Sequence, residues 1–331
     1  MKVSVIVPTH NRADALEKTL AHLQLQVFAH PWEVIVVNNN CSDNTDEVVA
    51  AAIKDFPVTL KLLHEKKPGA SAARNAGAMA ASGEYLLFID NDILTPTDFI
   101  QRHYNDLEKF KGSWFVGNVH NLPEQEGTHF GKFRKSLEAI VGNEIVEVKG
   151  ITGQTTSMPR EQFIQLHGFD ESFHVASGED RELALRAIER GIKIYLDPAI
   201  VVLHNDWAGT SIKDYCKRQK TYTLTEPFFW QKYGNNTPRL KMVKENLPPS
   251  MKEDGFRLYC WKLTKGLLGS NIGQSTIIGI CGVFEKVFPR PFILWKFYRL
   301  AIAGAIYRGF NEGLTFFDIK ERKLSAATTI N

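Results

Sequence analysis

The amino-acid sequence predicts an α/β fold: a single, mostly parallel sheet flanked by helices and followed by a helical C-terminal extension. Three observations predict it. Over the first hundred residues, short apolar runs alternate with stretches of helical spacing. These runs close on polar clusters. Beyond residue 210 the pattern turns helical and rich in aromatic and basic residues. Strands that are apolar throughout, without in–out alternation, belong in sheets covered on both faces.

Residues 3–7 form the first apolar run, closed by Pro8. Residues 13–27 follow with helical spacing that sets Leu16, Leu20 and Leu23 on one face. Residues 34–37 read as a second strand, 46–53 as a helix, 58–63 as a third strand, 70–81 as an alanine-rich helix and 84–89 as a fourth strand. In such sheets, ligands gather outside the carboxyl ends of the strands. Four polar loops sit there: Thr9-His10-Asn11-Arg12, Asn38-Asn39-Asn40, Lys66-Lys67-Pro68-Gly69 and Asp90-Asn91-Asp92. Their convergence on one edge predicts a nucleotide pocket.

The next hundred residues are less regular. Residues 114–119, 145–148, 151–157, 192–195 and 200–203 read as strands, and 121–131 as a polar loop. Residues 160–167 form a short helix stopped by Gly168, and 179–190 a helix ended by Gly191. Residues 212–230 and 251–268 read as helices. The stretch 292–310 carries Trp295, Phe297, Tyr298, Tyr307 and Phe310, flanked by Arg290, Lys296, Arg299 and Arg308. The polar residues 323–331 are expected to fray.

Composition narrows the function. The 331 residues are 44% hydrophobic and 23% charged, with a formal net charge of +3, too weakly basic to indicate nucleic acid. Much of the basic excess lies beyond residue 210. Cys41, Cys216, Cys260 and Cys281 are far apart and form no CxxC pair, which argues against a disulfide framework or a zinc site and fits a reducing compartment. The N-terminal apolar run is too short for a signal peptide, and no run of about 18 apolar residues offers a spanning helix. A cytoplasmic location is expected.

Several of these stretches resemble the motifs of family 2 glycosyltransferases. Residues 5–12 (VIVPTHNR) resemble the family's opening strand and loop, and residues 33–43 its second strand and loop. Residues 69–92 (GASAARNAGAMAASGEYLLFIDND) are similar to its "ARN…GEY…DxD" block. Gly168-Phe169-Asp170-Glu171 and Gly178-Glu179-Asp180 resemble its later "GFDE" and "ED" motifs. Six motifs occur in order over residues 2–220. The resemblance implies a GT-A fold with a Rossmann-like sheet over residues 1–210, split into a nucleotide-binding half (1–110) and an acceptor-binding half (111–210). Residues 211–331 would form a helical region touching either the membrane, the catalytic domain or a partner.

The resemblance also implies roles, each beside a plainer reading. Alone, Asp90-Asn91-Asp92 is a metal site or merely a polar turn. The family places metal on the last aspartate, so Asp92 would bind Mg2+ or Mn2+, with Asp90 on the ribose or metal and His204 assisting. Asp180 would be the general base of an inverting transfer and Glu179 would help orient the acceptor, although acidic residues also simply favour helix N-termini. Pro8, Thr9, Asn11, Arg12, Asn38, Asn40, Lys67, Arg74 and Asn91 would join Asp90 around the nucleotide. Asn11 would equally cap the helix beginning near Ala13. Gly153, Gln154 and Thr155, on the expected 151–157 strand, would line the sugar and acceptor side, with Trp207 stacking on a sugar or packing in the core. Where the family has an aspartate for uracil, this chain has Asn38. A UDP-sugar remains the favoured donor, because an amide oxygen still accepts a hydrogen bond. The acceptor would be a glycan or lipid-linked sugar. Two rival readings stand beside this one. A sugar nucleotidyltransferase would want a Gly-rich basic loop that residues 9–12 lack. A non-catalytic sugar-binding relative would be expected to have lost Asp92 or Asp180.

Overall fold

The computed structural model describes residues 1–137, 142–173, 177–206, 210–237, 239–287 and 290–319. These residues divide into two units. The first takes residues 1–122 and 142–206, the second 123–137 and 210–319.

The first unit is built from the expected alternation: β1 (Val3–Thr9), α1 (Ala13–Gln24), β2 (Trp32–Asn38), α2 (Thr45–Ile53), β3 (Thr59–His64), α3 (Ala70–Ala80) and β4 (Tyr85–Phe88). Then come β5 (Ile93–Leu94), α4 (Phe99–Lys109) and β6 (Trp114–Asn121). In the second unit lies α5 (His129–Lys135), after which the chain returns to the first with β7 (Val146–Glu147), β8 (Thr156–Pro159), α6 (Arg160–Gln165), α7 (Glu179–Glu189) and β9 (Ile194–His204). The nine strands form one sheet in the order β3-β2-β1-β4-β8-β6-β9-β5, with β7 on β9. β1 to β4 run parallel, as do β6 and β9; β5, β7 and β8 run against them.

Period-two side-chain geometry explains the apolar runs. Val5, Val7, Val34, Val36 and Leu87 enter one core with the faces of α1, α2 and α4. Ile6, Ile35, Val37, Leu86 and Phe88 enter the other, with α3, α6 and α7. Each such side chain contributes roughly 1.5–3 kcal/mol by leaving water. The alanine-rich α3 approaches the sheet closely, because a Cβ on Gly77 would stand 2.5 Å from Ile6 Cγ2.

The second unit is helical: α5 joins α8 (Ile212–Leu224), α9 (Glu226–Tyr233), α10 (Leu240–Asn246), α11 (Phe256–Gly269), α12 (Asn271–Val287) and α13 (Pro291–Phe316). Phe130, Phe133, Cys216, Cys281 and Tyr298 share its main core, and Trp230, Val243 and Phe310 a second.

Several expectations need correction. Residues 121–131 are not a loop throughout: a 3-10 turn at Pro123–Gly127 leads into α5, whose first turn is capped by Thr128 accepting from Gly131 N at 2.8 Å. The 151–157 strand begins only at Thr156. Residues 153 and 154 form a turn, braced by Thr152 N donating to Thr156 Oγ1 at 3.3 Å. The two expected strands at 192–195 and 200–203 are one, β9, with a register shift opposite Gly117 and Asn118. The helix expected over 212–230 breaks at Thr225, with Pro227 in the first turn of α9. α11 starts at Phe256 rather than 251, because Ser250 N donates to Asp254 Oδ2 in a preceding turn. The amphipathic α4 was not foreseen.

The closeness of α3 to the sheet yields a test. Gly77→Ala should lower stability to urea by about 1–3 kcal/mol through overpacking against Ile6, while the same change at exposed Gly255 should be nearly silent.

Candidate active site

The carboxyl edge of β1, β2, β3 and β4 surrounds a cavity of about 390 Å³. Pro8, Thr9, His10 and Arg12 line it from the first loop, Asn39 and Asn40 from the second, Pro68 and Gly69 from the third, and Asp90 and Asn91 from the fourth. Ala70, Ala73 and Arg74 of α3 close it. All four polar loops predicted to converge do so.

Asn39 fixes these loops together. Its amide donates to Glu65 O at 2.9 Å and Lys67 O at 2.7 Å, and its Oδ1 accepts from Gly69 N at 2.9 Å. Its backbone N–H donates to Thr9 O, and its carbonyl faces His10 Nδ1 at 2.7 Å. Asn40, at φ 60°, donates to Lys66 O. Asn38 lies behind this wall: its Nδ2 donates to Asp46 Oδ1 at 2.6 Å and its Oδ1 accepts from Cys41 N at 2.8 Å. Both ends of its amide are engaged inside the loop. Asn11 bonds to Ser42 rather than capping α1, whose first N–H, that of Ala13, is met by Asp43 Oδ2 at 2.9 Å. Thr9 Oγ1 accepts from Asn91 at 2.7 Å, joining the first and fourth loops. Lys67 pairs with Glu171 beyond the cavity wall.

Asp92 is buried. Its Oδ2 meets Arg12 Nη1 at 2.6 Å and His204 Nε2 at 3.3 Å, and its Oδ1 has no hydrogen-bond partner. Burial alone would raise its pKa, but the hydrogen bond and charge of His204, then Arg12, outweigh burial and hold it below the ordinary carboxylate value. β5 pairing with the end of β9 delivers His204 to this place. Arg12 also reaches Asp206 at 3.4 Å.

Arg74 connects the other side. Buried on α3, it meets Asp90 Oδ1 at 2.8 Å, Glu179 Oε1 at 3.1 Å and Asp180 Oδ1 at 3.8 Å, with the Phe169 ring 5.4 Å from its guanidinium carbon. Gly153 makes room, since a Cβ there would collide with the guanidinium. The Gly153 N–H donates to Asp180 Oδ2 at 2.9 Å. Burial, then the charge of Glu179, pushes the Asp180 carboxyl up to about 7 against the opposing pull of Arg74 and Gly153. Asn75, next along α3, holds the other motif: it donates to Phe169 O and Glu171 and accepts from Phe169 N at 2.9 Å.

The geometry therefore brings Pro8, Thr9, Arg12, Asn40, Arg74, Asp90 and Asn91 together at the cavity, and places Asp92 with His204 and Gly153 with Glu179 and Asp180 around it. Asn11, Asn38 and Lys67 support the loops from outside the cavity lining. Thr155 is fully buried, its hydroxyl accepting from Gly117 N at 2.9 Å, so it braces β6 and does not offer itself to a sugar. Gln154 is half-buried in the turn. Trp207 lies outside the described residues. Sequence reasoning passed over His10 and Asn39, although both stood in loops already singled out, and over Asp206.

Comparison with known proteins bears on the family and the fold. The profile of "Glycosyl transferase family 2" matches residues 4–161, and that of "N-terminal domain of galactosyltransferase" residues 143–203. The chain is 33% identical to the uncharacterized glycosyltransferase YfnE of Bacillus subtilis, over 71% of each chain. Three other curated bacterial relatives match over only 42%, 18% and 34% of their own lengths. Among solved structures, the mannosyltransferase PcManGT of Pyrobaculum calidifontis in complex with GDP-Man and Mn2+ superposes with a TM-score of 0.59 at 18% identity, covering 94% of this chain and 88% of its own. TarS 1-349 of S. aureus in complex with UDP gives 0.51 at 15% identity, covering 96% and 92%. The expected GT-A architecture is thereby established.

The seat of Arg74 is open to test. Gly153→Ala should displace the guanidinium from its carboxylates and lower stability by about 1–3 kcal/mol in urea unfolding. Unchanged stability would mean that Arg74 finds another seat.

Proposed function

The chain belongs to glycosyl transferase family 2, and we propose that it moves a sugar, with inversion, from a nucleotide-diphosphate donor to a hydroxyl of a glycan or lipid-linked acceptor. The observation that carries this reading is the placement of Asp180, a carboxyl raised to about 7, against the same buried guanidinium that holds Asp90 at the cavity rim. A base titrating near neutrality is suited to taking a proton from an alcohol in the transition state.

In this reading the nucleotide lies between the Thr9–Arg12 loop and Pro68–Gly69, within reach of His10 and Asn40. As Asp180 takes the proton, the acceptor oxygen bonds to the anomeric carbon. The bond from that carbon to the diphosphate oxygen breaks on the opposite face, and the nucleoside diphosphate leaves. Glu179 orients Arg74, and Arg74 holds Asp90. A UDP-sugar is our favoured donor, although Asn38, outside the cavity lining, would not be the residue that selects it.

The residues fit a divalent cation such as Mn2+ or Mg2+. Asp92 stays ionised, its Oδ1 is buried without a partner, and His204 stands beside it. Among the described residues no three His, Cys, Asp or Glu side chains gather to hold a metal unaided, so the donor's own oxygens would complete the shell. Asp92 and His204, with Asp90 nearby, would hold the ion, which would neutralise charge on the leaving diphosphate.

Calorimetric titration with UDP, GDP and dTDP, with and without Mn2+, tests the donor. One nucleotide should bind tightly only with metal, and Asp92→Ala should remove that metal-dependent part. Absence of binding by folded protein would refute the reading. Asp180→Asn should keep nucleotide binding while transfer falls on the order of 10²–10⁴-fold; active Asp180→Asn protein would overturn the base assignment. Because the folded carboxyl is raised, it is protonated below its pKa and basic above it. kcat/KM should therefore climb as pH rises and level off above about 7.

A further inference from the structure

The second unit carries an apolar, cationic surface outside the residues assigned to sugar transfer. On α11 the exposed apolar side chains are Phe256, Trp261, Leu263 and Leu267, and Phe256, Leu263 and Leu267, spaced by seven and four residues, share a stripe. On α12 they are Ile272, Val283 and Val287, spaced by eleven and four, and Phe292 opens α13. Phe256 is 83% exposed, Ile272 82%, Leu267 74% and Phe292 72%, which is far more than single surface apolar residues need.

The charge around them has one sign. From residue 211 onward the sequence has twenty lysines and arginines against nine aspartates and glutamates, and from Phe256 to Arg299 seven against one. The one acid, Glu285, accepts the Tyr298 hydroxyl. Lys262 and Lys265 are buried among Asp254, Asn246 and aromatic rings, but Arg257, Lys286, Arg290, Lys296 and Arg299 are exposed. Lys296 lies 4.2 Å from the Phe292 ring centre, an amphipathic pairing suited to an interface that is apolar below and charged above.

From these features we propose that α11, α12 and the start of α13 form a docking surface for an anionic lipid bilayer, which they enter shallowly rather than cross. Exposed Leu, Ile, Val and Phe would sink to the acyl boundary while the arginines and lysines meet lipid phosphates. No single helix among the described residues is long and apolar enough to cross a membrane, and the α11–α12 pair is bent by 83°. A second copy of the same face would be repelled by its own charge. A nucleic acid would have no use for aliphatic side chains in place of stacking rings. The inference is independent of the catalytic reading above, because it uses none of its residues.

The test is sedimentation of the full chain with phosphatidylcholine vesicles, alone or containing phosphatidylglycerol. Binding is expected only with phosphatidylglycerol, and weakening as salt rises. Lys286→Glu with Arg290→Glu should cut partitioning by at least about thirtyfold, and Leu267→Glu with Ile272→Glu should abolish it. All four positions are exposed, so far-UV circular dichroism and nucleotide titration should match the parent. The proposal is overturned if folded protein ignores phosphatidylglycerol vesicles, binds neutral ones equally, or binds undiminished in both double variants. It is equally overturned if the protein binds duplex DNA but not vesicles, or if the four changes abolish a dimer and nothing else.

Discussion

A buried guanidinium organises this protein. Arg74 is taken out of water on α3, where an uncompensated charge would cost several kcal/mol, and carboxylates from two distant segments gather around it: Asp90 from the end of β4, and Glu179 and Asp180 from the start of α7. Small residues make this possible. Gly77 lets α3 sink onto β1, and Gly153 leaves space over the guanidinium. Three carboxylates cannot stay together without the cation between them, and the cation cannot stay buried without them. The end of β4 and the start of α7 are therefore one electrostatic unit, and the raised pKa of Asp180 follows from the same burial and crowding.

Much of the first unit was legible in the sequence. Residues 34–37 and 85–88, and 3–7 apart from Ser4, are apolar because each run faces a core on both sides, and that pattern survives any detail of packing. Asp90, Asp92, Glu179 and Asp180 stand out through the family resemblance, because on their own a polar turn after a strand and the acidic first turn of a helix account for them. What the sequence concealed depends on partners far along the chain. Nothing local distinguishes Asn39 from its two neighbours, yet Asn39 makes three hydrogen bonds to the backbone of the third loop and its approach, Asn40 one, and Asn38 is bonded within its own segment. The turn at Gly153 reads as part of a strand until Arg74 and Asp180 are seen to need it there. The helix at His129–Lys135 carries a capping threonine, but its phenylalanines only make sense against Tyr298, which is more than 160 residues away.

Asp92 and Arg12 form a second, looser pairing. Arg12 is substantially exposed and lies on the cavity wall, whereas Asp92 is buried and has one unpartnered oxygen. A partly exposed cation held beside a buried anion differs from the buried cation at Arg74. The site thus combines one buried charge cluster with one partly exposed pair at the cavity wall.

The wall behind the cavity separates two duties that the three consecutive asparagines seemed to share. Asn39 spends every polar atom of its side chain on backbone, and Asn38 spends its amide on Asp46 and Cys41. Asn39 has both side-chain N–H groups committed, and Asn38, which keeps one N–H, is buried and outside the cavity lining. In the proposed reading the base is left to residues such as His10 and Asn40, which line the cavity with exposed side chains and give only one atom each to loop backbone, at Asn39 O and Lys66 O. An engineer seeking to change the donor would work on those two and leave the middle asparagine untouched, since altering it would unpick the loop before it altered any preference.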